Sequence, residues 1–254
     1  MAVEPVPDEP AALADCGDER VLVLADYHAG IEVALRYDGV EVRSRAADRR
    51  ERVRRLLART AADRVLFLGD LANAIGRPDS EEREELEALL SGLTARVPVT
   101  IVKGNHDGGI GEVAGDLDTD GVNVIDGPGT RIGAVGFAHG HTWPARAVVG
   151  AETVCVAHEH PTVRLEDDVG GRRVERAWLR GRLDPGPFVE HCGEPSVGSA
   201  GAEFVIFPAF NELVGGTWVN VDGQGFLSPF LPDGLADGEA YLLDGTRLGD
   251  YRRV

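Results

Sequence analysis

Metal-ligating side chains follow four separate apolar runs of the sequence. Each run is short enough to form a buried strand, and each ends abruptly in Asp, Asn or His residues. Since ligands bind at the strand ends of an open α/β sheet, the four endings predict one shared site at a sheet edge. The endings are Asp26-Tyr27-His28, Gly69-Asp70, Gly104-Asn105-His106-Asp107 and Ala157-His158-Glu159-His160.

Six of the seven histidines lie in these polar stretches or in His139-Gly140-His141. Only His191 falls in an ordinary loop. A mixed nitrogen and oxygen donor set suits Mn, Fe, Zn or a similar divalent ion, whereas an all-oxygen set would suit Mg or Ca. The three cysteines are too few and too scattered for a zinc knuckle or a disulfide framework. The six candidate histidines are His28, His106, His139, His141, His158 and His160.

The number of donors favours two ions rather than one. At least seven candidate ligands exceed the capacity of one tetrahedral ion and fit two ions that share a bridging carboxylate. Two metals about 3.5–4 Å apart clamp an in-line displacement at phosphorus, and one of them activates water as hydroxide. A neutral histidine beside them can protonate the leaving alkoxide. The donor set therefore predicts phosphoester hydrolysis.

Motifs for other chemistries are absent from the sequence. There is no G-x-x-x-x-G-K-[ST] phosphate loop and no G-x-S-x-G serine nucleophile. His158-Glu159-His160 is followed by Pro161 and lacks the second histidine spacing of H-E-x-x-H. The alternating aspartates from Asp116 to Asp120 lack the glutamate that would complete a calcium loop, so we interpret them as a solvated acidic loop.

The first half of the chain reads as alternating strands and helices. Apolar residues recur at helical spacing after residue 46, and Asp79 with Glu82 has the spacing of a capping box. This β-α-β-α-β order predicts a parallel sheet covered by helices. The predicted elements are strands Ala11–Ala14, Arg20–Ala25, Arg64–Leu68 and Val97–Val102, a helix over Ala46–Ala61, and a helix that Asp79 caps.

The second half is rich in short strands and predicts a mixed or antiparallel second sheet packed on the first. Helices are scarce there, and Pro144–Val149 is one brief candidate. The Gly- and Pro-rich segment Asp184–Gly201 is expected to be an exposed loop. The predicted strands are Gly121–Ile125, Thr130–Ala138, Thr153–Val156, Thr162–Glu166, Arg172–Leu179 and Glu203–Phe207, with a closing hairpin of Glu239–Leu243 and Thr246–Leu248.

Length and composition predict one globular domain over residues 1–254. The chain can bury a sizeable core, and no window approaches 18 consecutive apolar residues, so no membrane span is expected. The acidic, proline-containing N-terminus has no secretory pattern. We therefore expect a cytoplasmic protein with reduced thiols.

The charge composition points to a high-salt environment. The net charge is −17, and Lys103 is the only lysine among 26 basic residues. A strongly acidic surface normally opposes binding to nucleic-acid phosphates. Acidic excess with almost no lysine is also typical of halophilic adaptation, where molar salt screens long-range charge. Under that hypothesis the net charge says little about partners.

Taken together, five motifs resemble the calcineurin-like metallophosphoesterases in order and spacing. They are Asp26-x-His28, Gly69-Asp70, Gly104-Asn105-His106-Asp107, His139-Gly140-His141 and Ala157-His158-Glu159-His160-Pro161. The resemblance implies a two-sheet α/β sandwich of mixed sheets flanked by helices, with a dinuclear metal site. Manganese is the expected ion, with iron, zinc and nickel as alternatives.

The resemblance also implies a role for each residue. Asp26, His28 and His160 would hold the first metal, and Asp70 would bridge. The second metal would be held by Asn105, His139 and His158. His106 would be the catalytic acid or oxyanion stabiliser.

The sequence departs from the family pattern at two positions. The last motif begins Ala157-His158 rather than Gly-His, and Asn73 stands where many relatives carry Asp, so Asn73 is given no role. The choice between His139 and His141 stays open. The family pattern favours His139 as the ligand, and His141 would then lie behind it or touch substrate.

Further segments resemble one subgroup, an archaeal-type group of predicted phosphoesterases related to SbcD-type repair nucleases and to a DNA-ligase-associated phosphoesterase. These segments are Ala25–Glu32, the His-Glu-His-Pro ending, and Phe207–Asn211 with Gly215-Gly216. Pro208–Asn211 is either a buried turn that shapes the second sheet or a substrate contact.

This likeness favours a phosphodiesterase acting on a nucleotide or on single-stranded nucleic acid, with a DNA-repair protein as a candidate partner. The alternatives are a phosphomonoesterase and a non-catalytic metal-bound scaffold of a DNA-repair complex.

Overall fold

The computed structural model describes residues 2–167, 169–193 and 201–254. In the first sheet, four parallel strands (β3 to β6) are extended by an antiparallel pair at one edge, in the order β1-β2-β3-β4-β5-β6. Its strands are β1 (Val3–Pro5), β2 (Ala11–Asp15), β3 (Arg20–Leu24), β4 (Arg64–Leu68), β5 (Val99–Val102) and β6 (Val122–Ile125).

Helices connect the parallel strands of this sheet. They are α1 (Ile31–Tyr37), α2 (Ala46–Thr60), α3 (Ser80–Thr94) and α4 (Ile110–Gly115). The predicted cap of α3 is present, because the Asp79 carboxylate accepts a hydrogen bond of 2.9 Å from the Glu82 backbone N–H. The Glu82 side chain accepts from the backbone N–H groups of Asn73 and Ala74 at 2.6 and 3.0 Å. It therefore supports the loop that follows β4.

The second sheet follows the path β14-β13-β11-β12-β9-β8-β7, and β10 pairs with β11 off this path. Its strands β8, β9 and β12 are parallel neighbours, and the other pairings are antiparallel. The strands are β7 (Thr130–Ile132), β8 (Val135–Phe137), β9 (Thr153–Val156), β10 (Thr162–Glu166), β11 (Arg172–Leu183), β12 (Glu203–Ile206), β13 (Leu235–Leu242) and β14 (Arg247–Asp250). Two short helices, α5 (Arg146–Val149) and α6 (Gly186–Cys192), and a 3-10 turn (Tyr251–Arg253) accompany this sheet.

Side-chain alternation along the strands separates three apolar layers. On β3, Val21 and Val23 pack between the two sheets, whereas Leu22 and Leu24 pack against α2 and α3. The outer face of the second sheet packs against α5, α6 and the terminal 3-10 turn. The predicted fold class, an α/β sandwich of two mixed sheets flanked by helices, is confirmed.

Several predicted boundaries in the first half need correction. Strand Val3–Pro5 precedes the predicted first strand and pairs with it. Helix Ile31–Tyr37 was not predicted, because Gly30 was read only as part of a loop, whereas it supplies the left-handed turn before the helix. The strand predicted over Gly121–Ile125 is Val122–Ile125 and belongs to the first sheet, where it pairs with β5.

In the second half, one predicted strand is two. The segment Thr130–Ala138 turns at Gly133, which has a positive φ of 57°, and forms the hairpin of β7 and β8. The segment Asp184–Gly201, predicted as a loop, contains α6, and residues 194–200 lie outside the described residues. The predicted closing hairpin is present as β13 and β14. Within the described ranges, no helix has the length and apolar character needed to cross a membrane.

Candidate metal centre

The carboxyl ends of neighbouring parallel strands meet at one edge of the sandwich. Asp26 follows β3 and Asp70 follows β4, which are adjacent in the first sheet. His139 follows β8 and His158 follows β9, which are adjacent in the second. Since parallel neighbours end at the same edge, both sheets deliver donors to one place.

A first cluster joins Asp26, His28, Asp70 and His160. One ligand atom from each of these residues lies within 4.8 Å of the others. Nε2 of His160 is 3.1 Å from Oδ1 of Asp26, and Nε2 of His28 is 3.8 Å from Oδ2 of Asp70. These are the residues expected at the first metal together with the expected bridge.

A second cluster joins Asp70, His139 and His158 within the same 4.8 Å limit. Nε2 of His139 is 3.4 Å from Oδ2 of Asp70, and the rings of His139 and His158 are 5.0 Å apart between centroids. Asp70 belongs to both clusters, so its carboxylate lies where two adjacent ions would share a ligand.

Unsatisfied polar atoms are concentrated at this place. In the part of the chain that the structure describes, nine buried side-chain nitrogen and oxygen atoms have no hydrogen-bond partner, and seven of them belong to the candidate centre. Unpaired buried polar atoms are costly, and a divalent cation would satisfy donors of this type. The donor set therefore fits a metal. The seven atoms are both carboxylate oxygens of Asp26, both ring nitrogens of His28, Nε2 of His139, Nδ1 of His141 and Nε2 of His160.

Backbone carbonyls fix the tautomers of two histidines. Nδ1 of His139 lies 2.9 Å from the Leu68 carbonyl oxygen, and Nδ1 of His160 lies 2.8 Å from that of Gly215. Because a carbonyl can only accept, Nδ1 donates its proton in both rings. Nε2 is then the atom left to coordinate, as is usual for metal-bound histidine.

The ligand-bearing loops hold strained backbone conformations. Five of the candidate ligands have positive φ angles although none is glycine. Such conformations cost free energy and occur where the surrounding structure enforces them, often at functional sites. Here Asp26 N–H donates to the Gly69 carbonyl at 3.1 Å, and His28 N–H donates to that of Asp70 at 2.9 Å. The five residues are Asp26, His28, Asp70, His158 and His160.

Two motif glycines are required by close approach. A Cβ on Gly69 would lie 2.1 Å from Nδ1 of His139, and one on Gly104 would lie 2.1 Å from Oδ1 of Asp70. Any side chain at either position would displace a candidate ligand. The glycine in Gly69-Asp70 and the glycine in Gly104-Asn105-His106 therefore have a direct packing reason.

The carboxyl groups and histidines of the centre shift one another's pKa values. Burial raises the pKa of Asp26 and of Asp70, but the neighbouring histidines more than offset this, so both carboxyl pKa values lie below their usual range. Burial lowers the pKa of His28 and of His158 to about 4. Burial also lowers the pKa of His139, but the Asp70 carboxylate outweighs it and raises that pKa to about 9. The same carboxylate charge would attract a divalent cation.

His106 lies beside this cluster and is partly exposed. Its backbone N–H donates to Oδ1 of Asp70 at 2.8 Å, and its Nδ1 contacts the Asn73 carbonyl oxygen. Its ring is 5.1 Å from that of His28 between centroids. Asn73, which received no role from the sequence, thus contacts His106 through its main chain. Asn105 lies in the same turn with an exposed side chain, and its role as a ligand remains a prediction.

His141 adjoins the second cluster without joining it. Its ring is 5.4 Å from that of His139 and 6.1 Å from that of His158. Among the described residues, the cluster whose ligand atoms all lie within 4.8 Å of one another contains His139 but not His141. The geometry therefore favours the assignment of His139 as ligand, in line with the family pattern.

Three buried supports of the centre were not predicted from sequence. Asp107 accepts from the N–H groups of Ala72 and Gly104 at 2.9 and 2.8 Å, so it ties two ligand loops together. Glu159, fully buried between two candidate ligands, accepts from the backbone of residues 227 and 228. The position of each acid beside a ligand was a signal, but its partners are distant in sequence.

The third support comes from the segment after β12. The Asn211 side-chain amide donates to the carbonyl oxygens of Tyr27 and His28 at 2.9 and 3.2 Å. Pro208–Asn211 is buried, and it holds the ligand loop that follows β3. The sequence left open whether Pro208–Asn211 is a buried turn or a substrate contact. The contacts of Asn211 with Tyr27 and His28 agree with a buried turn.

A family match and the similarity to a solved structure agree with this architecture. A family model described as calcineurin-like phosphoesterase matches residues 19–205. No curated protein sequence matches the chain. The structure of Pseudomonas putida nuclease MPE is similar, with a TM-score of 0.56 and 18% identity over 97% of this chain and 100% of that one. The E. coli phosphoesterase Yfce aligns with a TM-score of 0.36 and 19% identity over 58% of this chain and 73% of that one.

Proposed function

Because the chain belongs to the calcineurin-like phosphoesterase family, we propose that it is a metal-dependent phosphoesterase that hydrolyses a phosphodiester of nucleotide or nucleic-acid type. The observation that carries the proposal is the Asp70 carboxylate, which is shared by two donor clusters. A carboxylate shared by two sets of nitrogen and oxygen donors can hold two ions close together, and two adjacent ions clamp an in-line displacement at phosphorus.

The proposal takes two divalent ions, manganese in the first instance, as the cofactor. Asp26, His28 and His160 would hold one ion, and Asn105, His139 and His158 would hold the other. Asp70, which belongs to both clusters, would contribute to both. When bound, such ions supply Lewis acidity, which lowers the pKa of water and neutralises charge on the phosphate oxygens.

His106 is assigned the proton transfer to the leaving group. The Asn73 carbonyl contacts Nδ1 and orients the ring, so Nε2 is the free atom of a partly exposed imidazole. Asp70 holds the backbone of the same residue, which ties the position of the ring to the metal-binding carboxylate. With Nδ1–H held by the Asn73 carbonyl, the imidazolium form would also carry a proton on Nε2, which it can give to an alkoxide as it departs.

The preference for a diester follows from the subgroup resemblance in Ala25–Glu32 and Phe207–Asn211. Hydrolysis of bis-p-nitrophenyl phosphate and of p-nitrophenyl phosphate with Mn²⁺ tests it directly. We expect a higher kcat/KM for the diester. A higher value for the monoester would instead establish a phosphomonoesterase.

The assigned role of His106 has its own test. His106→Ala should reduce turnover of the diester by at least 100-fold, the scale of general acid catalysis, while the bound metal measured by elemental analysis stays the same. Turnover within a few-fold of wild type would contradict the assignment.

A non-catalytic scaffold in a DNA-repair complex is the rival from another class. Protein that carries two equivalents of metal but hydrolyses neither ester would favour the scaffold. We further propose that residues 1–254 act as one domain, since β13 and β14 complete the sheet that also carries β8 and β9.

A further inference from the structure

A short basic segment interrupts this acidic chain. Residues 43–59, which include all of α2 except its last residue, contain eight arginines and two acidic residues. Their net charge is +6 in a chain of −17. A local concentration of one charge sign creates a potential that the average composition does not reveal.

The topology places the start of this segment at the sheet edge that carries the candidate metal centre. α2 connects parallel strands, so it runs antiparallel to them, and its N-terminus lies at the edge where their carboxyl ends meet. Arg45, the residue before α2, pairs with Glu212. Asn211, which precedes Glu212 in the chain, donates its side-chain amide to the carbonyl oxygen of His28 at 3.2 Å. The basic segment therefore begins beside a candidate ligand.

A cavity of about 240 Å³ lies along this face. It is lined on one side by α2 and the residue before it, and on the other by residues 210–212. Its volume is below the usual range for a pocket that encloses a whole small molecule, and it therefore suits part of a longer ligand. The arginines that line it are Arg45, Arg49, Arg52 and Arg55.

Three of these arginines have side chains that reach solvent. Arg49 is buried, and Glu32 and Glu85 bind its guanidinium in an internal network. Arg45 is 46% exposed in its side chain, Arg52 is 24% exposed, and Arg55 is also exposed. The cavity is therefore bordered by cations that reach solvent.

Nearby carboxylates equal these three cations in number, and two of them form ion pairs with Arg45 and Arg52. Glu212 pairs with Arg45, Glu9 lies 2.6 Å from Arg52, and Asp48 also lines the cavity. Partly exposed ion pairs of this type are weak, so phosphate oxygens can replace the carboxylates. Arg52 also lies over the ring of Phe210 at 5.0 Å, which holds its position over the cavity.

We propose that this face, formed by Arg45, Arg52 and Arg55 with the adjoining cavity, binds the phosphates of a single-stranded nucleic acid whose scissile diester lies at the metal centre. The inference rests on the proposed function, because it assigns the substrate class of that site. From residue 45 to residue 55 the segment spans about 15 Å at helical rise, which is long enough to contact several phosphates beyond the scissile one. The alternative ligand, an acidic polypeptide, contains no phosphodiester that the adjoining metal centre could hydrolyse.

The test compares substrates that reach the cavity with one that does not. We would measure kcat/KM for eight-residue oligo-dT and oligo-U and for bis-p-nitrophenyl phosphate across a KCl series, with folding checked by circular dichroism. The variant is R45Q/R52Q/R55Q. The matched control is R172Q/R173Q/R182Q, which removes three exposed arginines from β11.

We expect the cavity variant to lose activity on the oligonucleotides relative to the small diester, while the control keeps the wild-type ratio. The slope of log kcat/KM against log salt should become shallower by about 2, since each phosphate contact with a single strand contributes about 0.7. The two oligonucleotides distinguish DNA from RNA as the source of the strand.

An unchanged ratio in the cavity variant would overturn the inference while leaving the phosphodiesterase proposal intact. If wild type, cavity variant and control all fail to hydrolyse the small diester, the proposed function fails. Fluorescence anisotropy with a labelled octamer then tests the binding face separately. Equal octamer binding by the cavity variant and the control would overturn the inference. Arginine-dependent binding of poly-glutamate without octamer binding would also overturn it.

Discussion

Replacing Glu159 with alanine should loosen the loop that carries two candidate metal ligands. Glu159 is 0% exposed and lies between His158 and His160. Its carboxylate accepts from the backbone N–H of Leu227 at 3.0 Å and from that of Ser228 at 2.6 Å. A third donor, the Thr217 hydroxyl, is 3.3 Å away.

The expected loss follows from counting the donors left without a partner. The variant leaves two backbone N–H groups and one hydroxyl without an acceptor, and each buried donor in that state costs about 1–3 kcal/mol. Removing a buried carboxylate also recovers some desolvation free energy. We therefore expect the free energy of unfolding to fall by about 3–4 kcal/mol, and Tm to fall by about 6–16 °C for a chain of this size.

The loss should reach the metal centre through His160. Its Nδ1 bonds the carbonyl of Gly215, in the same segment that Glu159 holds. We expect the variant to bind less than the wild-type content of metal at equal total manganese, with lower turnover of the small diester that added manganese partly restores.

Urea denaturation and elemental analysis measure the two effects of this substitution. Glu159→Gln keeps one acceptor oxygen, so its loss of stability should be about half of that in Glu159→Ala. Glu166→Ala, on the exposed end of β10, is the matched control and should leave stability and metal content close to those of the wild type. Wild-type stability and metal content in Glu159→Ala would refute the role given to this carboxylate.

Three further predictions concern salt, pH and metal. Tm should rise steeply with molar KCl, because salt screens repulsion in a chain of net charge −17, and a Tm indifferent to KCl would contradict halophilic adaptation. Burial raises the pKa of Glu32, but its hydrogen bonds to Arg49 and to the backbone outweigh this and hold the pKa below its ordinary value of 4.5. The stabilisation from ionised Glu32 is present above its ordinary pKa and is lost as pH falls through its pKa in the folded protein. The difference in free energy of unfolding between wild type and Glu32→Gln, measured by urea titration, should therefore narrow below about pH 4.5. A difference that stays constant with pH would contradict this prediction. Removing metal with a chelator should lower Tm by an amount that manganese restores, about 2.7 kcal/mol in free energy at 100 times Kd; no restoration would count against the site.

The elements that place the candidate centre could be predicted from sequence because their signals are local. The apolar runs before Asp26, Asp70 and His158 are strands within one or two residues of the predicted bounds. The cap at Asp79 is formed as its spacing predicts. In each case neighbouring residues in the sequence are also neighbours in the structure, so periodicity and capping rules apply.

What could not be predicted depends on contacts between distant parts of the chain. Asp107 reaches Ala72, 35 residues away, and Glu159 reaches Leu227, 68 residues away. Nothing in the spacing of a buried acid states which backbone donors it will meet. The strand Val122–Ile125 was assigned to the wrong sheet for the same reason, since its pairing with β5 is a tertiary choice.

The net charge illustrates how an average can hide a site. Taken alone, −17 argues against a nucleic-acid ligand, and the hypothesis of salt adaptation only makes that argument weaker. Binding depends on the potential at one place, and the fold decides which charges meet there. Because α2 must run antiparallel to the strands it connects, its arginines begin beside the loop that carries His28. The topology of a parallel sheet therefore joins the two features, and an acidic protein can present a basic face to its substrate.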